Sequence, residues 1–300
     1  MHETPYLKAL TRLESSFEVL RHSTHRPHPA YFQANLHAFL GWELNVLNEV
    51  DDFKTKPSYS DPFTQVGEVD MLLRDPATLP NKPRFLVWDC MLNLELAKAM
   101  YVFRWLDLAE QAIYFRKKAQ NIRVLLQEVH LKHVILPATL LSEAYYAHKM
   151  EPGVFIMPDG GMPYNINIGQ TILANLPMYL RQVKCHKEIM DSFVGLDPSR
   201  EEMVLLRAAI FYHSGAPGLS VYARQMLLSS FEHIEEELKK HISNRLGPGA
   251  AGKRMESLVK LAVQMFELAQ DLRLLLIDFH LKFGNRKYKF PIFETIIRID

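Results

Sequence analysis

Between residues 6 and 22 the apolar positions Leu7, Leu10, Leu13, Phe17 and Leu20 recur at steps of three and four, which lays one stripe along a helix. Thr4-Pro5 ahead of it supplies a capping hydroxyl and a first-turn proline. The pattern breaks at residues 25–29, resumes over 31–50, and gives way to a loop carrying Pro57, Pro62, Pro76, Pro80 and Pro83. Residues 85–150 then hold no glycine and one proline, Pro137, and keep helical spacing nearly throughout. Unbroken, that stretch would reach roughly 100 Å, too long for a compact domain, so it is expected to turn at least once. The polar cluster Arg116-Lys117-Lys118-Ala119-Gln120-Asn121 is the predicted place, with Pro137 a kink rather than an end.

Gly153-Val154-Phe155-Ile156-Met157, followed by Pro158-Asp159-Gly160-Gly161, is the one clear strand-and-turn signal and predicts a small hairpin. Helical patterning returns over 168–193, 199–212, 219–243 and 255–283, with residues 247–252 read as a flexible glycine-rich connector. There is no internal repeat and no linker between two cores. The pattern predicts a single all-α domain over 1–300, with N-terminal helices and a variable loop in 1–84 and a helical core in 85–300.

Composition narrows the chemistry. A 48% hydrophobic share over 300 residues builds a substantial core. Lys+Arg 35 against Asp+Glu 34 leaves a formal charge of +1, without the basic excess that a phosphate-neutralising surface needs. Two cysteines, Cys90 and Cys185, make neither a disulfide framework nor a four-ligand zinc site, and read as reduced intracellular thiols. No basic segment followed by an apolar run opens the chain, and no apolar stretch suits a membrane, so a cytosolic or nuclear location is expected. Thirteen methionines and an 11% aromatic share suit a pocket that adapts to a lipophilic guest, although ordinary core packing accounts for the same numbers.

Catalytic signals are poor. Asp51-Asp52-Phe53 hints at the aspartate-rich metal motif of helical terpene synthases, but residues 54–57 supply no third carboxylate. His22, His25 and His28 are spaced by three, yet Pro27 and Pro29 preclude a continuous helix beneath them. His233, Glu236, Glu237 and His241 share part of a helix face and read as a solvated charged stripe. With no nucleophile motif and no glycine-rich phosphate loop, neither an enzyme nor a cofactor nor a metal is expected.

One block is more specific. Leu196-Asp197, then Glu202-Met203-Val204-Leu205-Leu206-Arg207-Ala208-Ala209-Ile210, then Ala216-Pro217-Gly218-Leu219-Ser220, resembles the signature of the nuclear-receptor ligand-binding domains. There an acidic residue precedes a Leu-Leu-basic-Ala core helix, and a Pro-Gly-Leu-Ser turn caps the next helix. Leu131-Lys132-His133-Val134, Leu136-Pro137, Ala144-Tyr145-Tyr146 and Met157-Pro158-Asp159-Gly160 look like the nematode branch of that family. Two registers compete at the end of the family's third helix. Ala97-Lys98, Phe103, Leu106 and Glu110-Gln111 fit its spacing, but would leave that helix only about 15 residues long and the next one too long before the hairpin. The register adopted bends the chain near residues 117–121 and matches Leu126-Gln127 and Leu131-Lys132, with Leu126 replacing an acidic residue.

The resemblance implies a three-layer antiparallel helical sandwich around a buried pocket, in a nuclear, ligand-regulated transcription factor. The zinc-finger module that would contact DNA is not among these residues. It implies a lipophilic ligand, such as a fatty acid or sterol, lined by Trp105, Leu108, Thr139, Leu140, Glu143, Tyr146, Phe155 and Met157. The arginine that holds a carboxylate in fatty-acid and retinoid receptors is matched by Tyr146, or by His130 in the other register, which puts an acidic ligand in doubt. Coregulator Leu-x-x-Leu-Leu peptides would meet Lys117, Lys118 and Lys132 at one end and Ile292, Phe293, Glu294, Ile296 and Ile297 at the other. In this tail the family's glutamate position falls on Thr295, one residue after Glu294 and about 100° around a helix. A homodimer or heterodimer along Leu272, Leu274 and Leu275 is also expected. The competing class is a non-receptor helical protein, either a lipid carrier or an interaction scaffold.

Overall fold

The computed structural model describes residues 4–22, 34–42, 45–48, 50, 85–100, 116–158, 177–283 and 295–296. Its long elements are α1 (Pro5–Arg21), α2 (Leu36–Leu40), α3 (Phe85–Ala99), α4 (Arg116–Met150), α5 (Pro177–Leu196), α6 (Arg200–Phe211), α7 (Val221–Leu246) and α8 (Pro248–Phe283). A 3-10 turn, Val46–Asn48, lies between α2 and α3. All regular structure among the described residues is helical. Val154, Phe155, Ile156 and Met157 adopt no strand, and Asp159, Gly160 and Gly161 of the expected hairpin lie outside the described residues.

α4 is the axis of the packing. It touches α2, α3, α5, α6 and α8, and its segment from Val134 to Ala147 is buried around the whole circumference. A helix that is apolar on all sides must be enclosed on all sides, and the sequence over this segment meets that requirement. The backbone stays helical through Pro137. The lost N–H leaves a carbonyl one turn earlier without its usual partner. Next to it, Arg273 of α8 donates to the Lys132 carbonyl at 2.7 Å.

Two boundaries differ from the sequence expectation. The cluster from Arg116 to Asn121 forms the first turns of α4 rather than a break. Arg, Lys, Ala and Gln are good helix formers, and polarity alone, without Gly or Pro, does not end a helix. The interruption comes earlier, after the 15 residues of α3, so a short α3 and a 35-residue α4 are the lengths that the adopted register was chosen to avoid. Likewise α8 begins at Pro248, and residues 249–252 are helical rather than a flexible connector. Proline is pre-set for a first turn, Ala251 is buried, and only Gly247, at φ +81°, separates α7 from α8.

The caps behave as the residues dictate. Thr4 accepts from the Leu7 N–H, and Ser220 accepts from the Ala223 N–H to start α7. At α6 the Ser199 side chain accepts from the Glu202 N–H while the Glu202 carboxylate accepts from the Ser199 N–H, a complete capping box. Ser199→Ala is expected to cost about 1 kcal/mol. In urea titration that appears as a lower midpoint at unchanged slope.

Candidate functional site

α1 carries charge on its buried face. Glu14 stands in the stripe between Leu10 and Phe17, Arg21 follows Phe17 by one turn, and both are 1% exposed. The Glu14 carboxylate receives Arg207 of α6 and, at 2.5 Å, the Tyr146 hydroxyl of α4. Arg207 also donates to the Ser142 hydroxyl at 3.0 Å, which in turn donates to the Ala138 carbonyl. Arg21 directs its Nε–H at both oxygens of Asp89 on α3, at 3.0 and 3.1 Å. The rings of Phe17 and Tyr146 stack at 6.1 Å, with the Arg207 guanidinium over the first and the Arg21 guanidinium over the second. Four helices therefore meet through ions. Desolvating each ion costs several kcal/mol, so the arrangement is tolerable only with its partners in place.

A third carboxyl, Glu143, joins the cluster. Glu143 is 2% exposed, and its Oε1 has no hydrogen-bond partner. Burial, then the neighbouring Asp89, raise its pKa well above the ordinary carboxyl value against the pull of Arg21. One turn before it, Thr139 donates its hydroxyl proton to the Ile135 carbonyl at 2.8 Å and is hydrogen-bonded to Cys90. Burial, ahead of Glu143 and Asp89, pushes the Cys90 thiol far up, so it stays protonated and unreactive.

Two further polar clusters brace the same helices. Glu202, fully buried, receives Arg254 of α8 at 2.7 Å and Arg245 of α7 at 3.0 Å. Burial opposes its ionisation, yet Arg254, the Ser199 N–H and Arg245 outweigh it and hold the carboxyl below its usual range. On the other side of α4, His133 and His213 stack at 5.5 Å, with Phe266 of α8 at 5.6 and 4.6 Å. A Cβ on Gly215 would strike the His213 ring at 2.4 Å, so glycine is what lets that ring seat itself. Burial drops His130 and His133 to about 4. These imidazoles are neutral at neutral pH and pack as rings. No group of three or more His, Cys, Asp or Glu among the described residues is placed to hold a metal.

The structure gathers part of the predicted lining. Thr139, Leu140, Glu143 and Tyr146 are buried on α4; Phe155 and Met157 are buried just after it, Phe155 edge-on to His186 of α5 at 4.7 Å. Tyr146 and Glu143 stand in the ionic cluster, the former already hydrogen-bonded to Glu14. Trp105 and Leu108 lie outside the described residues, as do Ile292, Phe293, Glu294 and Ile297 and the side chains of Lys117 and Lys118. Lys132 is half-buried beside Glu128 at 3.4 Å, and Ile296 is fully buried. Leu272 and Leu275 point into the core, whereas Leu274 is 44% exposed. Asp51, Asp52, His25 and His28 also fall outside the described residues. On α7, His233 and Glu236 are exposed, while Glu237 accepts from Thr4 at 2.5 Å.

No family model matches the chain, and no curated protein matches it. The sequence reading missed Glu14, Arg21 and Asp89 as site residues. Their signal was present: each is a charge set within an apolar stripe or run rather than opposite it.

Arg207→Met is expected to cost about 3–5 kcal/mol, because it leaves the Glu14 carboxylate buried and unpaired. The double variant Glu14→Leu, Arg207→Met should lose markedly less, and urea titration of both reads the difference. Glu143 gives a pH signature. Its proton is held more tightly folded than unfolded, so its contribution is full below about 4.5, the ordinary glutamate value, and is lost as pH rises towards the raised folded value. Glu143→Gln should flatten that decline of stability with pH, measured by urea midpoints between pH 5 and 9.

Proposed function

We propose that this chain is a ligand-binding domain of the nuclear-receptor type, a three-layer helical sandwich that binds a lipophilic small molecule and recruits coregulators in the nucleus. The observation that carries the reading is the use made of each polar position in the signature-like block. Glu202 ties α6 to α7 and α8, Arg207 ties α6 to α1 and α4, and Ser220 caps α7 after the turn at Gly218, whose φ is +83°. The acidic residue, the basic residue and the Pro-Gly-Leu-Ser turn that define the resemblance therefore sit at the junctions of the helical body. A generic pair of packed helices needs none of them.

Under this reading Thr139, Leu140, Glu143, Tyr146, Phe155 and Met157 face the pocket with Trp105 and Leu108. The coregulator groove runs between the Lys117, Lys118 and Lys132 side and the C-terminal helix. The groove holds a helical peptide because its basic edge complements the peptide's C-terminal pole and an acidic residue complements the other, each worth about 0.3–1 kcal/mol. Thr295, half-buried beside the buried Ile296, occupies the acidic position. Dimerisation along α8 uses the residues that remain outward: Val259, Val263, Leu274 and Ile277, which are 40–51% exposed.

Native mass spectrometry of the purified domain is the first test: a co-purifying small molecule is expected, and a strictly empty protein that also refuses added lipophiles overturns the reading. A labelled Leu-x-x-Leu-Leu peptide followed by fluorescence anisotropy should bind weakly, more weakly to Lys132→Ala, and more tightly to Thr295→Glu. If Thr295→Glu changes nothing while Glu294→Ala abolishes binding, the tail sits in another register. Sedimentation should show a dimer that Leu274→Arg dissociates, with Leu274 exposed and so replaceable without disturbing the core.

A further inference from the structure

Arg273 of α8 differs from the other cations withdrawn from water. Arg21, Arg207 and Arg254 each meet a carboxylate. Arg273 is 5% exposed, donates from Nη2 to the Lys132 carbonyl at 2.7 Å, and leaves its Nε without a hydrogen-bond partner. No carboxylate among the described residues pairs with it. The Cys90 thiol and the His133 imidazole lie within reach of its charge, and both are neutral at neutral pH. Burial lowers the Arg273 guanidinium to about 10, so it keeps its own charge there. At the α4 residue it engages, the Lys132 Nζ stands 3.4 Å from Glu128. The charge of the lysine is thus matched, and the positive charge in excess at this place belongs to Arg273. A buried charge is screened by salt much less than an exposed one.

We propose that Arg273 is the positioning cation of the coregulator edge, and that this edge selects Leu-x-x-Leu-Leu segments with an acidic residue after the final Leu, an inference that rests on the coregulator-binding reading. A helix bound there turns the negative pole of its dipole to the edge, and an acid in its last turn adds to that pole. The same acid disfavours the helix in isolation, so a segment carrying one gains most from a cation at its end. Lys132, already facing Glu128, offers an edge close to neutral by itself. Arg273 restores a positive field at that edge without touching the peptide. Through the carbonyl it engages, it also fixes where this turn of α4 stands, and with it the lysine.

Two labelled peptides with amidated ends, identical except for Glu or Gln at the second position after the final Leu, test this by fluorescence anisotropy. The wild type is expected to bind the Glu peptide about two- to fivefold more tightly, the effect of one charge at a helix terminus. Arg273→Gln keeps a donor for the Lys132 carbonyl without the charge, and Arg273→Met fills similar space with neither. Neither substitution leaves a buried ion behind, so both should fold, with circular dichroism as the check. Each should bind the two peptides alike, whereas Arg273→Lys should keep the wild-type preference. A purely structural role would change both affinities together and leave their ratio untouched. If the wild type binds the two peptides equally, or if folded Arg273→Gln or Arg273→Met keeps the preference, the assignment of Arg273 falls and the coregulator reading stands. If neither peptide binds the wild type, both fall.

Discussion

The pairing of Arg207 with Glu14 is the contact on which the rest of the arrangement depends. It joins α6 to α1 in the middle of the protein, and both side chains are almost entirely withdrawn from water. A guanidinium cannot shed its charge at any ordinary pH, so its burial forces a carboxylate to be buried with it. That requirement fixes the rotation of α1, because Glu14 must face inward together with Phe17. It fixes α4 as well, since Tyr146 and Ser142 satisfy the remaining lone pairs and protons. Arg21 and Asp89 repeat the device two turns further along and bring in α3.

Such a centre favours one arrangement over many. Apolar faces slide past one another at small cost, whereas a displaced ion in a dry interior loses its partner entirely. The same logic recurs at Glu202, where one carboxylate takes donors from α7, α8 and its own helix start. Glu143 stands apart from this economy of matched ions. Its Oε1 has no hydrogen-bond partner, and burial beside Asp89 raises its pKa against the pull of Arg21.

Much of the helical frame was legible in the residues. The three-and-four spacing of Leu7, Leu10, Phe17 and Leu20 predicts α1, and Thr4, Ser199 and Ser220 stand where capping hydroxyls are needed. The failures concern ends rather than existence. The polarity of the cluster from Arg116 to Asn121 predicts a break, yet helix propensity rather than polarity decides whether a helix continues. Residues 249–252 were read as a connector because of their glycines, yet Pro248 and the buried Ala251 carry the helix through them. The outward role given to Leu272 and Leu275 failed for a related reason: a run that is apolar all round does not tell which side meets the core.

The sequence by itself determined what is local: which segments are helical, where hydroxyls cap them, and that a signature-like block places an acid, a base and a turn in order. It also set the charge inventory, including acids and bases within apolar stripes at Glu14, Arg21 and Asp89. Only the tertiary structure decided which acid meets which base. Glu14 and Arg207 are 193 positions apart, and Arg21 and Asp89 are 68 apart. Helical periodicity reports on neighbours three and four residues away and carries no information across such separations. Which carboxyl meets which cation is therefore a property of the packed whole.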